Sequence, residues 1–204
     1  MKRLILTTLF SAAVFITHAQ TINFGLKAGL NLAIQDHGSY TFGNGYLAGF
    51  NAGAIMDISF QHFSIQPGLM FSLKGESDDT KFNDINPFNG GTYLHSDTYL
   101  DYIEIPVYFL YKATPINGLS LHFGGGPYIA TGVSETDIVA GSTYTSHTFS
   151  YKNPDFGLGL IVGVTLNKRI SADAEYEYGF VNIDNNGYVT RNTVISLSAG
   201  YLFK

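Results

Sequence analysis

Asp155-Phe156-Gly157-Leu158-Gly159-Leu160-Ile161-Val162-Gly163-Val164-Thr165-Leu166 is the stretch from which the fold is read. Phe156, Leu158, Leu160, Val162, Val164 and Leu166 take every second position. Asp155, Gly157, Gly159, Ile161, Gly163 and Thr165 fall between them. A period of two is the signature of a β-strand with unlike faces. Here the less apolar face is dominated by glycine and not by charge.

The same reading succeeds along the rest of the chain, at residues 24–32, 48–60, 63–74, 99–111, 119–130, 170–180 and 195–203. Leu26, Ala28 and Leu30 alternate with Gly25, Lys27 and Gly29; Phe50, Ala52 and Ala54 with Asn51, Gly53 and Ile55; Ile103, Ile105 and Phe109 with Tyr102, Glu104 and Tyr108. The 119–130 segment is looser, and Gly124-Gly125-Gly126-Pro127 predicts a bulge or bend there. Eight such segments tile one chain, a regularity that chance alternation does not give. The connections alternate as well. Gln61-His62, residues 112–118 and Asn167-Lys168 are short, whereas 34–45, 75–98, 131–153 and 182–192 are long. An even number of strands of roughly ten residues, with short turns at one rim and long loops at the other, describes a bacterial transmembrane barrel. The expected fold is all-β: an eight-stranded antiparallel up-and-down barrel with short periplasmic turns and long extracellular loops.

A soluble lipocalin-like ligand-binding barrel alternates too, but keeps its apolar face inside. The small residues decide between the two. On a solvent face, a row of glycines would leave long strands with bare backbone and little charge. In the narrow interior of an eight-stranded barrel, small residues beside a few large polar ones are what fits. Charged residues make up only 13% of the chain against 15% aromatic, far fewer charges than a soluble surface carries. Phe24, Phe60, Phe63, Tyr111, Tyr201 and Phe203 are expected at the periplasmic rim, and Tyr46, Tyr99, Phe156 and Phe180 at the outer one, where rings favour the headgroup level.

The N-terminus gives an address. Lys2 and Arg3 precede a mostly apolar run over 4–17, and Thr17-His18-Ala19 ends on a small residue before Gln20. This predicts a secretory signal peptide, residues 1–19, and a barrel domain at 20–204 in the outer membrane of a Gram-negative bacterium. Losing Lys2 and Arg3 moves the formal charge from −5 to −7, leaving nine basic residues against 16 acidic ones. Such a balance excludes a basic nucleic-acid surface. The absence of cysteine excludes disulfide and thiolate chemistry.

Phe24-Gly25-Leu26-Lys27-Ala28-Gly29-Leu30-Asn31, then Gln66-Pro67-Gly68-Leu69 followed by Lys74-Gly75, then Tyr102-Ile103-Glu104-Ile105-Pro106, resemble the PorT-like outer-membrane β-barrel proteins common in Bacteroidetes. The resemblance spans essentially the mature chain, in order. It implies fold and location, and no catalytic residues.

Lys27, Asp57, Gln66, Glu104, His122, Asp173, Glu175 and Glu177 all fall on the expected interior face. An interior charge must be paired, hydrated or neutralised. The expectation is a filled polar core in which Lys27, with Lys74, neutralises acidic partners; an acidic pathway for cations or protons is the alternative. Ser198 is expected beside Glu175 or Glu177. His37, His95 and His147 fall singly in long loops, and their convergence on a metal or in acyl transfer is the basis of a second reading, a small barrel enzyme acting on lipid. Asp78-Asp79 with Asp84 reads as a solvated acidic loop before it reads as a calcium site. No phosphate loop, Gly-x-Ser-x-Gly or zinc helix is present. The sequence therefore leads to a non-enzymatic outer-membrane barrel with no cofactor and no catalytic or metal site, facing lipid and offering its loops to an extracellular ligand or envelope protein.

Overall fold

The computed structural model describes residues 21–38, 44–82, 92–139, 142–146, 149–185 and 189–203. Among the described residues there are ten strands: β1 (Thr21–Asp36), β2 (Asn44–Gly45), β3 (Leu47–Ser59), β4 (Phe63–Phe82), β5 (Thr92–Ile116), β6 (Leu119–Val139), β7 (Ser142–Ser146), β8 (Asp155–Leu166), β9 (Ile170–Gly179) and β10 (Arg191–Phe203). Eight of them form the wall. β3, β1, β10, β9, β8, β6 and β5 pair in that order, and β4 joins β3 to β5 and closes the ring. Every pairing is antiparallel, and the first and last strands meet from Phe24↔Phe203 to Asp36↔Arg191. Closure removes the open edge, so every wall strand has a ladder on both sides.

Burial is inverted relative to a soluble protein. Leu30 is 72% and Leu197 67% exposed, while Lys74 is fully buried. Along β8 the odd-numbered residues from Asp155 to Ile161 are buried, and Phe156, Leu158, Leu160 and Val162 are exposed. A barrel with an apolar interior is thereby ruled out, and lipid is the solvent that suits the outer face. Three interior glycines of β8 make room for rings of nearby strands, Tyr128 and His122 of the adjoining β6 and Tyr108 of β5. A Cβ at Gly157 would stand 2.8 Å from Tyr128 Cε1, one at Gly159 2.8 Å from Tyr108 Cε1, and one at Gly163 2.6 Å from His122 Nε2.

Several expected boundaries move. The connection expected at 112–118 shrinks to Asn117-Gly118, because β5 runs on to Ile116. The turn at Asn167-Lys168 is as expected: both residues have positive φ, and Arg169 N donates to Leu166 O, the geometry of a type I′ hairpin turn. No bulge forms at Gly124-Gly125-Gly126, whose register with β8 is continuous. The register shifts of the β5–β6 ladder fall instead where Asp101↔Ser134 gives way to Tyr102↔Gly132 and where Ala113↔Leu121 gives way to Ile116↔Leu119.

The largest correction concerns the long connections. The expected 75–98 loop is mostly strand, with β4 and β5 paired from Gly75↔Tyr99 to Phe82↔Thr92. Gly75 sits within this continuous strand at a φ of 134° and against the Thr98 main-chain oxygen, a position closed to other residues. β6 follows the hairpin through Val139, β7 pairs with β6, and β2 pairs with β4. The loop regions 34–45, 75–98 and 131–153 therefore contribute a sheet raised beyond the wall. The expected signal peptide, Asp84 and His147 lie outside the described residues.

Candidate functional site

The interior polar groups form layers. Nearest the short turns, Lys112 Nζ donates to both carboxylate oxygens of Asp57, at 2.7 and 2.8 Å, and to Ser59 Oγ at 2.9 Å. This pair borders a polar cavity of about 310 Å³ that also includes Asn23, Gln61, Ser120 and Lys168. Higher in the lumen, Lys27 bridges Asp173, at 3.3 Å, and Glu175, while His122 Nε2 meets Asp173 Oδ1 at 2.7 Å. Next comes Lys74, held between Glu104 Oε2 at 2.6 Å and Glu177 Oε2 at 3.1 Å, with the Tyr108 hydroxyl donating to Glu177 Oε1. The Lys74 ammonium also stands 4.3 Å from the Tyr128 ring centre, a cation–π contact.

A second chain of contacts is neutral. Asn51 Nδ2 donates to Asn31 Oδ1 at 2.6 Å, Ser196 Oγ to the same oxygen at 3.0 Å, and Ser198 Oγ to Asn51 Oδ1 at 3.2 Å. Near the outer end, Asn192 Nδ2 donates to Tyr102 Oη and Asp155 Oδ2. Above them Leu100, Tyr102, Tyr128, Ala130 and Ile183 pack as an apolar plug backed by Phe149, Tyr151 and Val181.

All eight sequence-derived interior residues lie inside the wall. Lys27, His122, Asp173 and Glu175 come together in one cluster; Glu104 and Glu177 meet through Lys74; Asp57 stands apart with Lys112; and Gln66 borders a small cavity with Lys27, Glu104, Glu175 and Glu177. Ser198 faces Asp173 in register and not Glu175, whose partner is Ser196. Sequence reasoning missed Asp155, Asn31 and Asn51, although the alternation already places them on the Gly157, Lys27 and Gly53 faces. Tyr102, Tyr108 and Tyr128 were missed because an aromatic ring is an equally good girdle residue. Lys112 was hidden by being assigned to a turn.

The loop histidines separate. His37 Nδ1 contacts Thr190 Oγ1 at 3.1 Å and its Nε2 contacts Glu76 Oε2 at 2.7 Å. This is a hydroxyl–imidazole–carboxylate line, but Thr190 is 4% exposed and shares its face with the lumen residues Asn192 and Val194, away from lipid. The line ties the end of β1 to β4 and to the approach of β10. Burial pushes the Glu76 carboxyl upward against the pull of His37. His95 is exposed on the raised hairpin, where Asp79 and Asp97 hold its imidazole above the ordinary histidine range. Among the described residues, no group of three or more His, Cys, Asp or Glu is placed to hold a metal ion.

The sequence family described as the outer membrane protein beta-barrel domain matches residues 18–185. The chain belongs to that outer-membrane β-barrel family. The solved structure of Neisserial surface protein A supports the fold. Neisserial surface protein A shares 15% identity and a TM-score of 0.50 over 88% of this chain and 97% of its own. OprG of Pseudomonas aeruginosa shares 10% identity, with a TM-score of 0.45 over 91% and 97%, and Ail of Yersinia pestis 14%, with 0.44 over 92% and 100%. No curated protein matches the chain. As an outer-membrane barrel, the molecule turns its apolar band to the lipid of a Gram-negative outer membrane.

The lumen of this outer-membrane barrel is packed. The cavity bordered by Lys27, Gln66, Glu104, Glu175 and Glu177 measures about 20 Å³, room for about one water. Folded protein reconstituted in planar bilayers is expected to give no stable conductance steps, and sustained large steps would contradict a filled lumen.

Proposed function

We propose that this outer-membrane barrel is a non-enzymatic mount, exported by a signal peptide cleaved after Ala19, whose raised sheet meets an extracellular ligand or envelope protein. The observation that carries the reading is the continuation of β4 and β5 as paired strands well past Gly75, flanked by β6 and β7. Wall strands need no such extension to cross a bilayer. Among the described residues β7 pairs only with β6, so its other edge offers main-chain donors and acceptors to an incoming strand. The ion pairs and plug keep the lumen rigid beneath it.

Two features support the finer PorT-like relation. The segments Gln66-Pro67-Gly68-Leu69 and Tyr102-Ile103-Glu104-Ile105-Pro106 lie on neighbouring strands, with Gln66↔Tyr108 and Met70↔Glu104 in register, so the quoted motifs form one patch of wall. Glu104 from the second motif binds Lys74, which follows the first.

Photo-crosslinkers at Ser96 and Thr98 test the binding role in intact cells. The expected result is one recurrent adduct from both positions, absent when the crosslinker stands at Asn117 or Asn167 in the opposite turns. Adducts from the turns alone would contradict it. N-terminal sequencing of membrane-extracted protein is expected to begin at Gln20; a start at Met1 would remove the export reading.

A further inference from the structure

The polar cavity at the short-turn end of the lumen measures about 310 Å³ and draws a residue from each short turn: Gln61, Gly118 and Lys168. It lies at the opposite end of the barrel from the raised sheet, so it stands apart from the binding role proposed for that sheet. The wall strands place Asn23, Thr114, Ser120 and Thr165 around it, and Ser120 and Thr165 are side by side in register.

These walls carry open hydrogen-bonding capacity. Among the described residues, the side chains of Asn23, Gln61, Ser120 and Thr165 make no hydrogen bond to the protein. The charged pair at the border is already occupied. Lys112 directs its three N–H groups at the two carboxylate oxygens of Asp57 and at Ser59 Oγ, and Ser59 Oγ donates in turn to Asp57 Oδ2 at 2.8 Å. Lys168, exposed on its turn, is the other cation of the lining.

The lining selects a ligand chemistry. A phosphate is held by several cations or by converging main-chain N–H groups, and a hard metal ion by several carboxylates; the cavity offers one uncommitted ammonium and one carboxylate that is already paired. A lipid tail would find only Phe60, Leu119 and Leu202 apolar. Hydroxyl and amide side chains both donate and accept. They match a ligand whose own hydroxyls do the same and whose ring carbons can rest on the three apolar residues.

We propose that this cavity binds a saccharide from the periplasmic side, about one or two sugar rings in size, since its volume lies at the lower end of small-molecule sites. Asn23, Gln61, Ser120 and Thr165 hydrogen-bond the sugar hydroxyls, and the Asp57–Lys112 pair borders the site without being broken.

Saturation-transfer NMR on the folded full chain in lipid nanodiscs, which leave both rims open, tests this with maltose and N,N′-diacetylchitobiose as soluble probes. Trialanine serves as a ligand with amides and no hydroxyl. Ring protons of at least one sugar are expected to receive saturable transfer, and trialanine little. Gln61→Ala, in an exposed turn, should weaken sugar binding by about threefold to tenfold, the scale of one hydrogen bond. Ser120→Phe fills the cavity and should abolish binding, whereas Ser96→Ala on the raised sheet should leave it unchanged. Cosedimentation with purified peptidoglycan sacculi separates the sources: pelleting that Ser120→Phe abolishes assigns a wall glycan, and soluble-probe binding without pelleting assigns a free sugar. Where Ser120→Phe does not fold, Gln61→Ala makes both comparisons. Neither transfer nor pelleting, transfer to trialanine as strong as to the sugars, or binding undiminished in either folded cavity variant would overturn the proposal.

Discussion

Lys74→Met is expected to lower the unfolding free energy of the barrel by about 3–5 kcal/mol, the range for removing one partner of a buried ion pair. Lys74 is fully buried, holds Glu104 and Glu177 together from two other strands, and lies over the Tyr128 ring. Methionine keeps most of the stem volume, so the loss reports two stranded carboxylates more than a cavity. The triple variant Lys74→Met with Glu104→Gln and Glu177→Gln should recover much of it, because the cost lies in unpaired charge. Reversible denaturant unfolding in lipid vesicles measures both. A single-variant loss under about 1 kcal/mol, the scale of an exposed pair, would mean that the lumen is wet and its charges individually solvated.

The second large effect is on the opposite face. Leu160 is 63% exposed near the middle of β8, paired with Tyr176 on one side and Gly125 on the other. Leu160→Lys is expected to cost about 2–4 kcal/mol in the same assay, the scale for an ammonium at the bilayer midplane. In detergent micelles, where water is closer, the cost should shrink. A neutral result in vesicles would place Leu160 outside the lipid band.

The contrast between Leu160 and Gly159 was legible in the sequence because an eight-stranded barrel gives each face one job. Period-two patterning located the wall strands, and glycine at 157, 159 and 163 showed which face was crowded. The pairing of charges was less legible. Lys27 and Glu175 lie 148 positions apart, and their meeting depends on ring closure through β1 and β10, together with a register that alternation alone cannot fix. Ser198 shows the limit: its face was readable, yet its partner is Asp173, two residues from Glu175 and four from Glu177, the expected neighbours. The raised sheet was hidden for another reason. Beyond Gly75 both faces are polar, so Glu76, Ser77, Asp78 and Asp79 carry no alternation, and a strand solvated on both sides reads as a loop.

The chain contains no tryptophan, so Leu160→Trp gives a single reporter for the central claim that the apolar face meets lipid. In vesicles of lipid brominated at mid-chain, the folded variant should lose most of its tryptophan emission, and aqueous iodide should have little effect. Emission that survives the brominated lipid but is quenched by iodide would put this face in water and contradict the membrane barrel.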